Sequence, residues 1–251
     1  MPVFKEEIVS QKEATKRTLL SFGFFILFII ACVAGWKWLQ RQPKDNGALR
    51  PLRTILDNNE RFFSGILSNG HLAKTYPLSA AAPKVRLNGD AGMGDGFDPA
   101  AWKLQLIRKP GDTLYISIDE IKALPKTDII FDFKCIEGWS QVTHWAGVKF
   151  SDFVNKYGLD EQSKMKYTGL HTPDDGYYVG IDNKSMMHPQ TILCYEMNGQ
   201  PLPLNQGAPL RLIIPVKYGI KHLKRIGTIY FSDQRPPDYW YERGYDYFSG
   251  L

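Results

Sequence analysis

The ten residues Phe131-Asp132-Phe133-Lys134-Cys135-Ile136-Glu137-Gly138-Trp139-Ser140 put a cysteine at the end of an apolar, strand-like run, just ahead of a glycine turn. A thiol in that place projects from a rigid edge. By itself such a cysteine is more often a packed small hydrophobe than a ligand. Lys134 beside it favours the thiolate, the form that binds soft metals.

Working outward, the chain beyond Pro83 consists of short apolar runs separated by Gly, Pro, Asn and Asp. The runs 102–107, 114–118, 129–133, 177–181 and 210–216 read as strands, and short helices are expected around 118–124, 148–157 and 185–188. The class is α+β with strands dominating. Gly92-Met93-Gly94-Asp95-Gly96 reads as a surface turn, since the Lys-Ser/Thr of a phosphate loop is missing. In Leu210 to Arg225, cations alternate with apolar residues, so that Arg211, Lys221 and Lys224 could converge on an anion. A solvated charged face is the commoner outcome for such a pattern.

Upstream, Thr18 to Trp36 is an uncharged run of 19 residues. As a helix it extends roughly 28 Å, enough to span a bilayer. Arg17 and Lys37 bracket it, with Trp36 and Trp38 where interfacial aromatics are favoured. A buried core helix, a cleaved signal peptide and, through Ile29-Ile30-Ala31-Cys32, a lipoprotein cleavage box are the alternatives. Thr15-Lys16-Arg17-Thr18-Leu19-Leu20 looks like a twin-arginine export signal with Lys in place of the first Arg. After a polar linker, Leu52, Ile55, Leu56, Phe62, Phe63, Ile66 and Leu67 recur at helical spacing, and their stripe is expected to pack on the domain, with docking to a partner or the bilayer as the alternative. The expected organisation is a tail (1–17), a membrane anchor (18–38), a linker with an amphipathic helix (39–82) and one domain (83–251).

Composition narrows the function classes. The net charge of +5 is thinly spread, with +2 of it in Met1 to Lys37, so nucleic acid is not an expected partner. Three cysteines without a C-x-x-C pair support neither a disulfide framework nor a zinc site. Five scattered histidines show no ligand spacing.

Cys135-Ile136-Glu137-Gly138-Trp139-Ser140 followed by Trp145-Ala146-Gly147-Val148 is similar to the C-x-E-x-W-S…W-x-G pattern of bacterial protein-methionine-sulfoxide reductases. Asp175-Gly176-Tyr177, Met187-His188-Pro189, Gly199-Gln200-Pro201-Leu202-Pro203, Gly207-Ala208-Pro209-Leu210-Arg211, Lys217-Tyr218-Gly219-Ile220-Lys221 and the ending Tyr239 to Asp246 follow in the same order. From Pro83 onward the chain resembles the molybdopterin-binding domain of the sulfite oxidase family.

The resemblance implies a sulfite-oxidase-type domain that binds molybdenum-molybdopterin (Mo-MPT). Cys135 would be the thiolate ligand of the metal, beside one pyranopterin dithiolene. It also implies that Arg211, Lys221 and Lys224 hold the pterin and its phosphate, with Asn88 and Thr172 as further candidates. Gln206 stands where the family commonly has Asn or His, and His222 where a Ser lies between two lysines; both can still hydrogen-bond. The implied activity is oxygen-atom transfer, reducing an S-oxide or N-oxide, with sulfite oxidation or a scaffold subunit without turnover as alternatives. The implied substrate is a small molecule or a protein sulfoxide. The chain leaves no room for the heme domain of animal-type relatives and has no C-x-x-C-H, so a separate electron-transfer partner, membrane-bound or soluble, is expected. The expected location is the inner membrane, single-pass, with the domain in the periplasm.

Overall fold

A computed structural model describes residues 10–66, 71–87 and 89–251, which leaves Leu67 and Asn88 outside the described residues. The first element, α1 (Gln11–Gln40), is capped by Ser10, whose side chain accepts a hydrogen bond from the Glu13 amide. It starts seven residues before Thr18, taking Lys12, Glu13, Lys16 and Arg17 into its first turns, where Glu13 and Arg17 pair at 2.7 Å. By length and composition α1 can cross a membrane, and none of its apolar window is buried, which rules out the core-helix alternative.

A hairpin of β1 (Lys44–Asp45) and β2 (Ala48–Leu49) follows, turning at Asn46-Gly47. Both turn residues have positive φ, the conformation that an Asn-Gly pair adopts at low cost. The amphipathic helix is present as α2 (Arg50–Ile66), but its stripe is not packed on the domain. Leu52, Ile55, Phe62, Phe63 and Ile66 are exposed, and α2 docks instead through the polar residues Arg53 and Glu60.

The rest of the chain gives, in order, β3 (Leu104–Lys109), β4 (Asp112–Ile116), α3 (Ile118–Lys122), β5 (Lys126–Lys134), β6 (Ser140–Lys149), α4 (Phe150–Lys156) and α5 (Asp160–Ser163). After these come β7 (Tyr167–His171), β8 (Tyr178–Asp182), α6 (Asn183–Met186), β9 (Ile192–Met197), β10 (Gln200–Pro201), β11 (Arg211–Ile213) and β12 (Thr228–Ser232). One sheet is antiparallel, in the order β10-β9-β6-β5, with β11 also paired to β9. The other runs β4-β3-β12-β7-β8, and only its β3–β12 pair is parallel.

Alternation along the strands decides which core each residue enters. Leu193 and Leu212 join the main core with Leu106, Leu170 and Ile229 of the second sheet. Their neighbours Ile192, Cys194 and Ile213 join Phe131, Phe133 and Trp145 in a second cluster on the opposite face. β6 is buried at every position from Thr143 to Val148, because β5 and β9 flank it. Gly147 is required there, since a Cβ would come within 2.1 Å of the Leu193 carbonyl oxygen. The run expected over 210–216 is cut to three residues, ahead of Pro215 and a turn closed by Lys217 N to Ile214 O.

Candidate active site

Cys135 sits where β5 hands over to β6. Ile129, Phe131 and Phe133 alternate into the second core cluster, and Cys135 is next in that register. It opens the five-residue loop between the last pair, Lys134 with Ser140. The loop closes through Cys135 N to Trp139 O at 2.9 Å and Gly138 N to Cys135 O at 3.1 Å. Gly138 takes a φ of 87°, which favours glycine. Burial, with the charge of Glu137, pushes the Cys135 thiol up, and the backbone N–H groups of Glu137 and Ile136 and the charge of Arg86 offset only part of that rise. Lys134, expected to favour the thiolate, is exposed and is not among these influences.

Cys135, Ile136 and Glu137 form one wall of a cavity of about 320 Å3, within the usual range of ligand pockets, about 300 to 1,000 Å3. The other walls come from Gly89, Asp90 and Ala91, from Gly219, Ile220, His222 and Lys224, and from four aromatic side chains, Tyr177, Tyr239, Trp240 and Tyr245. Lys224 donates to the Gly89 carbonyl, and burial with the nearby charge of Arg211 brings its pKa down to about 8.

Arg211 is fully buried on β11. Its Nη1 donates to both the backbone O and the Oε1 of Gln206, at 3.0 Å each, and its guanidinium lies over the Trp145 ring at 4.5 Å. Its Nε and Nη2 are buried and have no hydrogen-bond partner among the described residues. A guanidinium so held, with two donors free and Lys224 nearby, is chemically suited to an anionic oxygen group.

The family model for the oxidoreductase molybdopterin binding domain matches residues 92–240. This chain belongs to that family.

Relatives agree with it. The chain is 36% identical over 183 residues to a putative protein-methionine-sulfoxide reductase subunit, YedZ1, of Azospira oryzae, covering 71% of this chain and 68% of that one. It is 34% identical over 161 residues to the protein-methionine-sulfoxide reductase catalytic subunit MsrP of Xanthomonas axonopodis pv. citri, covering 57% and 48%. An uncharacterized oxidoreductase of Bacillus subtilis, YuiH, is 30% identical over 149 residues, covering 59% and 74%. The chain thus spans about half the length of the MsrP relative.

The residues of this molybdopterin domain fit the family's group. A single soft ligand, Cys135, and the buried cation Lys224 line the cavity, while Arg211 does not line it and is buried close enough to the cavity residues Lys224 and His222 to lower the pKa of both. Among the described residues, no cluster of three or more His, Cys, Asp or Glu offers an alternative metal site.

Several expected site residues are placed differently. Lys221 points away from the cavity, ion-paired with buried Asp238 and donating to the Gly180 carbonyl at 3.0 Å. It lines a larger cavity, about 560 Å3, with Lys217, which pairs with Asp182 at 2.7 Å. That cavity has no cysteine, and both of its buried lysines are already matched. Thr172 is occupied locally: its hydroxyl donates to Asp174 at 2.6 Å and accepts from Tyr177 N at 3.0 Å. Gln206 reaches Arg211 and, through Nε2, the Val85 carbonyl, so it orients the arginine. His222 accepts from Ile214 N at Nδ1 and donates from Nε2 to the Lys217 carbonyl, which fixes one neutral tautomer. Burial, and then the charge of Arg211, bring its pKa to about 3. With both ring nitrogens engaged, His222 offers the cavity a ring face and no free donor. Asn88 lies outside the described residues.

Sequence reasoning assigned no role to the aromatic wall. Tyr177 was read as the start of a strand and, like the others, falls in a segment noted for its resemblance, and the run Tyr239-Trp240-Tyr241 was the signal present.

Proposed function

We propose that this chain is a membrane-anchored, molybdenum-dependent oxidoreductase that reduces sulfoxides, with methionine sulfoxide in proteins as the substrate. The observation that carries this reading is Cys135 and Lys224 on one cavity, with the charge of Arg211, a buried guanidinium with two unpartnered donors, acting on Lys224. When bound, Mo-MPT would supply the two-electron redox chemistry and the oxygen-atom transfer. Cys135 would hold the metal as thiolate, while Arg211 and Lys224 would hold the anionic part of the pterin cofactor. Tyr177, Tyr239, Trp240 and Tyr245 would keep water from the cavity and receive the substrate side chain. Sulfur packs favourably against aromatic rings, which suits a methionine-derived group. The Azospira and Xanthomonas relatives, a putative protein-methionine-sulfoxide reductase subunit and a protein-methionine-sulfoxide reductase catalytic subunit, support the same substrate.

The organisation that goes with this reading is a tail to residue 17, an anchor over 18–38, a connecting region to 82 and the redox domain over 83–251. The domain faces the periplasm, in keeping with the export-like Lys16-Arg17 signal ahead of the apolar run. Electrons come from a separate partner. The test is metal and pterin analysis of the full chain from a host that makes the cofactor, with turnover assays on sulfoxides, N-oxides and sulfite. Near-stoichiometric molybdenum and fastest turnover on protein methionine sulfoxide are expected. A folded protein without molybdenum would instead support a scaffold role, and preference for sulfite would reverse the reaction direction.

A further inference from the structure

The connection between the span and the domain carries an apolar surface that the domain does not cover. At about 100° per residue, Leu52, Ile55, Asn59, Phe62, Phe63 and Ile66 fall in one sector of α2. All but Asn59 are apolar, and Ile55, Phe62 and Ile66 are 55%, 63% and 61% exposed. Phe62 and Phe63 pack edge to face with centroids 5.2 Å apart and remain in solvent together. This sector is not the docked one. α2 holds to the domain through Arg53, which donates to the carbonyls of Asn46, Tyr241 and Tyr245, and through Glu60, which pairs with Arg235 at 2.5 Å.

Chain connectivity says what the sector meets. The β1–β2 hairpin folds back on itself, so that Arg50 N donates to the Pro43 carbonyl at 2.9 Å. Pro43 is only three residues past the end of α1. At no more than about 3.6 Å per residue, α2 therefore begins within roughly 15 Å of the end of the span. Arg41, Lys44 and Arg50, all exposed, crowd this junction, where anionic headgroups attract cations.

We propose that α2 lies in the plane of the membrane interface, with the Ile55–Phe62–Ile66 face in lipid and its Arg53–Glu60 face on the domain. The inference rests on the reading of α1 as a membrane span. It adds a second attachment, and with it a fixed orientation. Arg53 grips the backbone of Tyr241 and Tyr245, in the segment whose Tyr239, Trp240 and Tyr245 wall the Cys135 cavity. The cavity is thus held at a set height and angle to the bilayer, as exchange with a membrane-bound electron donor requires.

Site-specific photocrosslinking in native membranes tests this in the full chain. The photoreactive p-benzoylphenylalanine would replace, one at a time, Phe25 in α1, Ile55 and Phe62 on the apolar face, and Asn58 on the exposed polar face, with adducts identified by mass spectrometry. The expected result is phospholipid adducts at Ile55 and Phe62 in yields comparable to Phe25, lost at Asn58. Lipid adducts at Phe25 alone would overturn the inference and leave the anchor standing. Protein adducts at Ile55 and Phe62 would overturn it in favour of a partner subunit. Absence of lipid adducts at Phe25 would remove the anchor and the inference with it.

Discussion

Arg211 and Gln206 form a closed pair in the interior, with one guanidinium nitrogen bonded to both the carbonyl and the side-chain oxygen of the glutamine at 3.0 Å. The pair fixes the plane of the guanidinium and leaves Nε and Nη2 for another group. Arg211→Ala should therefore lower pterin content, because it removes charge-assisted contacts worth about 1.5 to 3 kcal/mol, roughly a ten- to hundredfold loss of affinity. Pterin assays on the folded variant check this, and normal occupancy would remove Arg211 from the cofactor site.

Lys221 and Lys224 lie three residues apart and should respond differently. Lys221→Met strands Asp238 in the interior, and breaking a buried pair in this way costs about 3 to 5 kcal/mol of stability. Denaturant unfolding should show that loss, while the fraction that folds retains its pterin content. Lys224→Met should do the reverse, sparing stability and reducing pterin. If both variants lost pterin equally while staying folded, the placement of Lys221 away from the site would be wrong.

The pH dependence of the cofactor-free protein should carry the signature of Lys224. Its pKa falls from 10.5 to about 8 on folding, so between those values the unfolded chain binds more protons and stability rises with pH. Below about pH 8 the lysine is charged in both states, and its burial is a constant cost. Unfolding curves of the native chain and Lys224→Met, taken from pH 7 to 10.5, should converge or cross as the native chain gains. Parallel curves over that range would show that Lys224 titrates normally.

The proposed periplasmic placement, which rests on the Lys16-Arg17 signal and α1, has a direct test. Protease added to intact spheroplasts should digest the domain and leave a small N-terminal fragment. Full protection, with a periplasmic control digested, would put the domain in the cytoplasm.

Much of the architecture was legible because it is written in local pattern. The alternation Ile129, Phe131, Phe133 gives β5, the glycine after Cys135 gives its loop, and the uncharged run gives α1. β6 was not among the strands read from the sequence because a strand flanked on both sides and buried on both faces shows no alternation, and its end at Val148 and Lys149 was read as the start of a helix. The exposed stripe of α2 was misjudged since periodicity reports that an apolar face exists and says nothing of what covers it. Of the proposed site, Cys135, Arg211 and Lys224 could be picked out from local pattern and resemblance. The fate of Lys221 could not, because its partner Asp238 is 17 residues further along the chain and only the fold brings them together. Likewise, the ring nitrogens of His222 are taken up by two backbone groups, Nδ1 accepting from Ile214 N and Nε2 donating to the Lys217 carbonyl, which no sequence pattern announces.

X-ray absorption at the molybdenum edge is the most direct measurement, comparing the full chain with Cys135→Ser and with Cys194→Ser. Cys194 is the control: it is buried, its thiol is pushed up to about 12, and it donates to the Glu196 carbonyl within the second core cluster. The account predicts that Cys135→Ser loses one sulfur neighbour of the metal together with turnover, keeping the fold, and that Cys194→Ser keeps the sulfur shell unchanged. An unchanged sulfur shell and unchanged turnover in Cys135→Ser would contradict it.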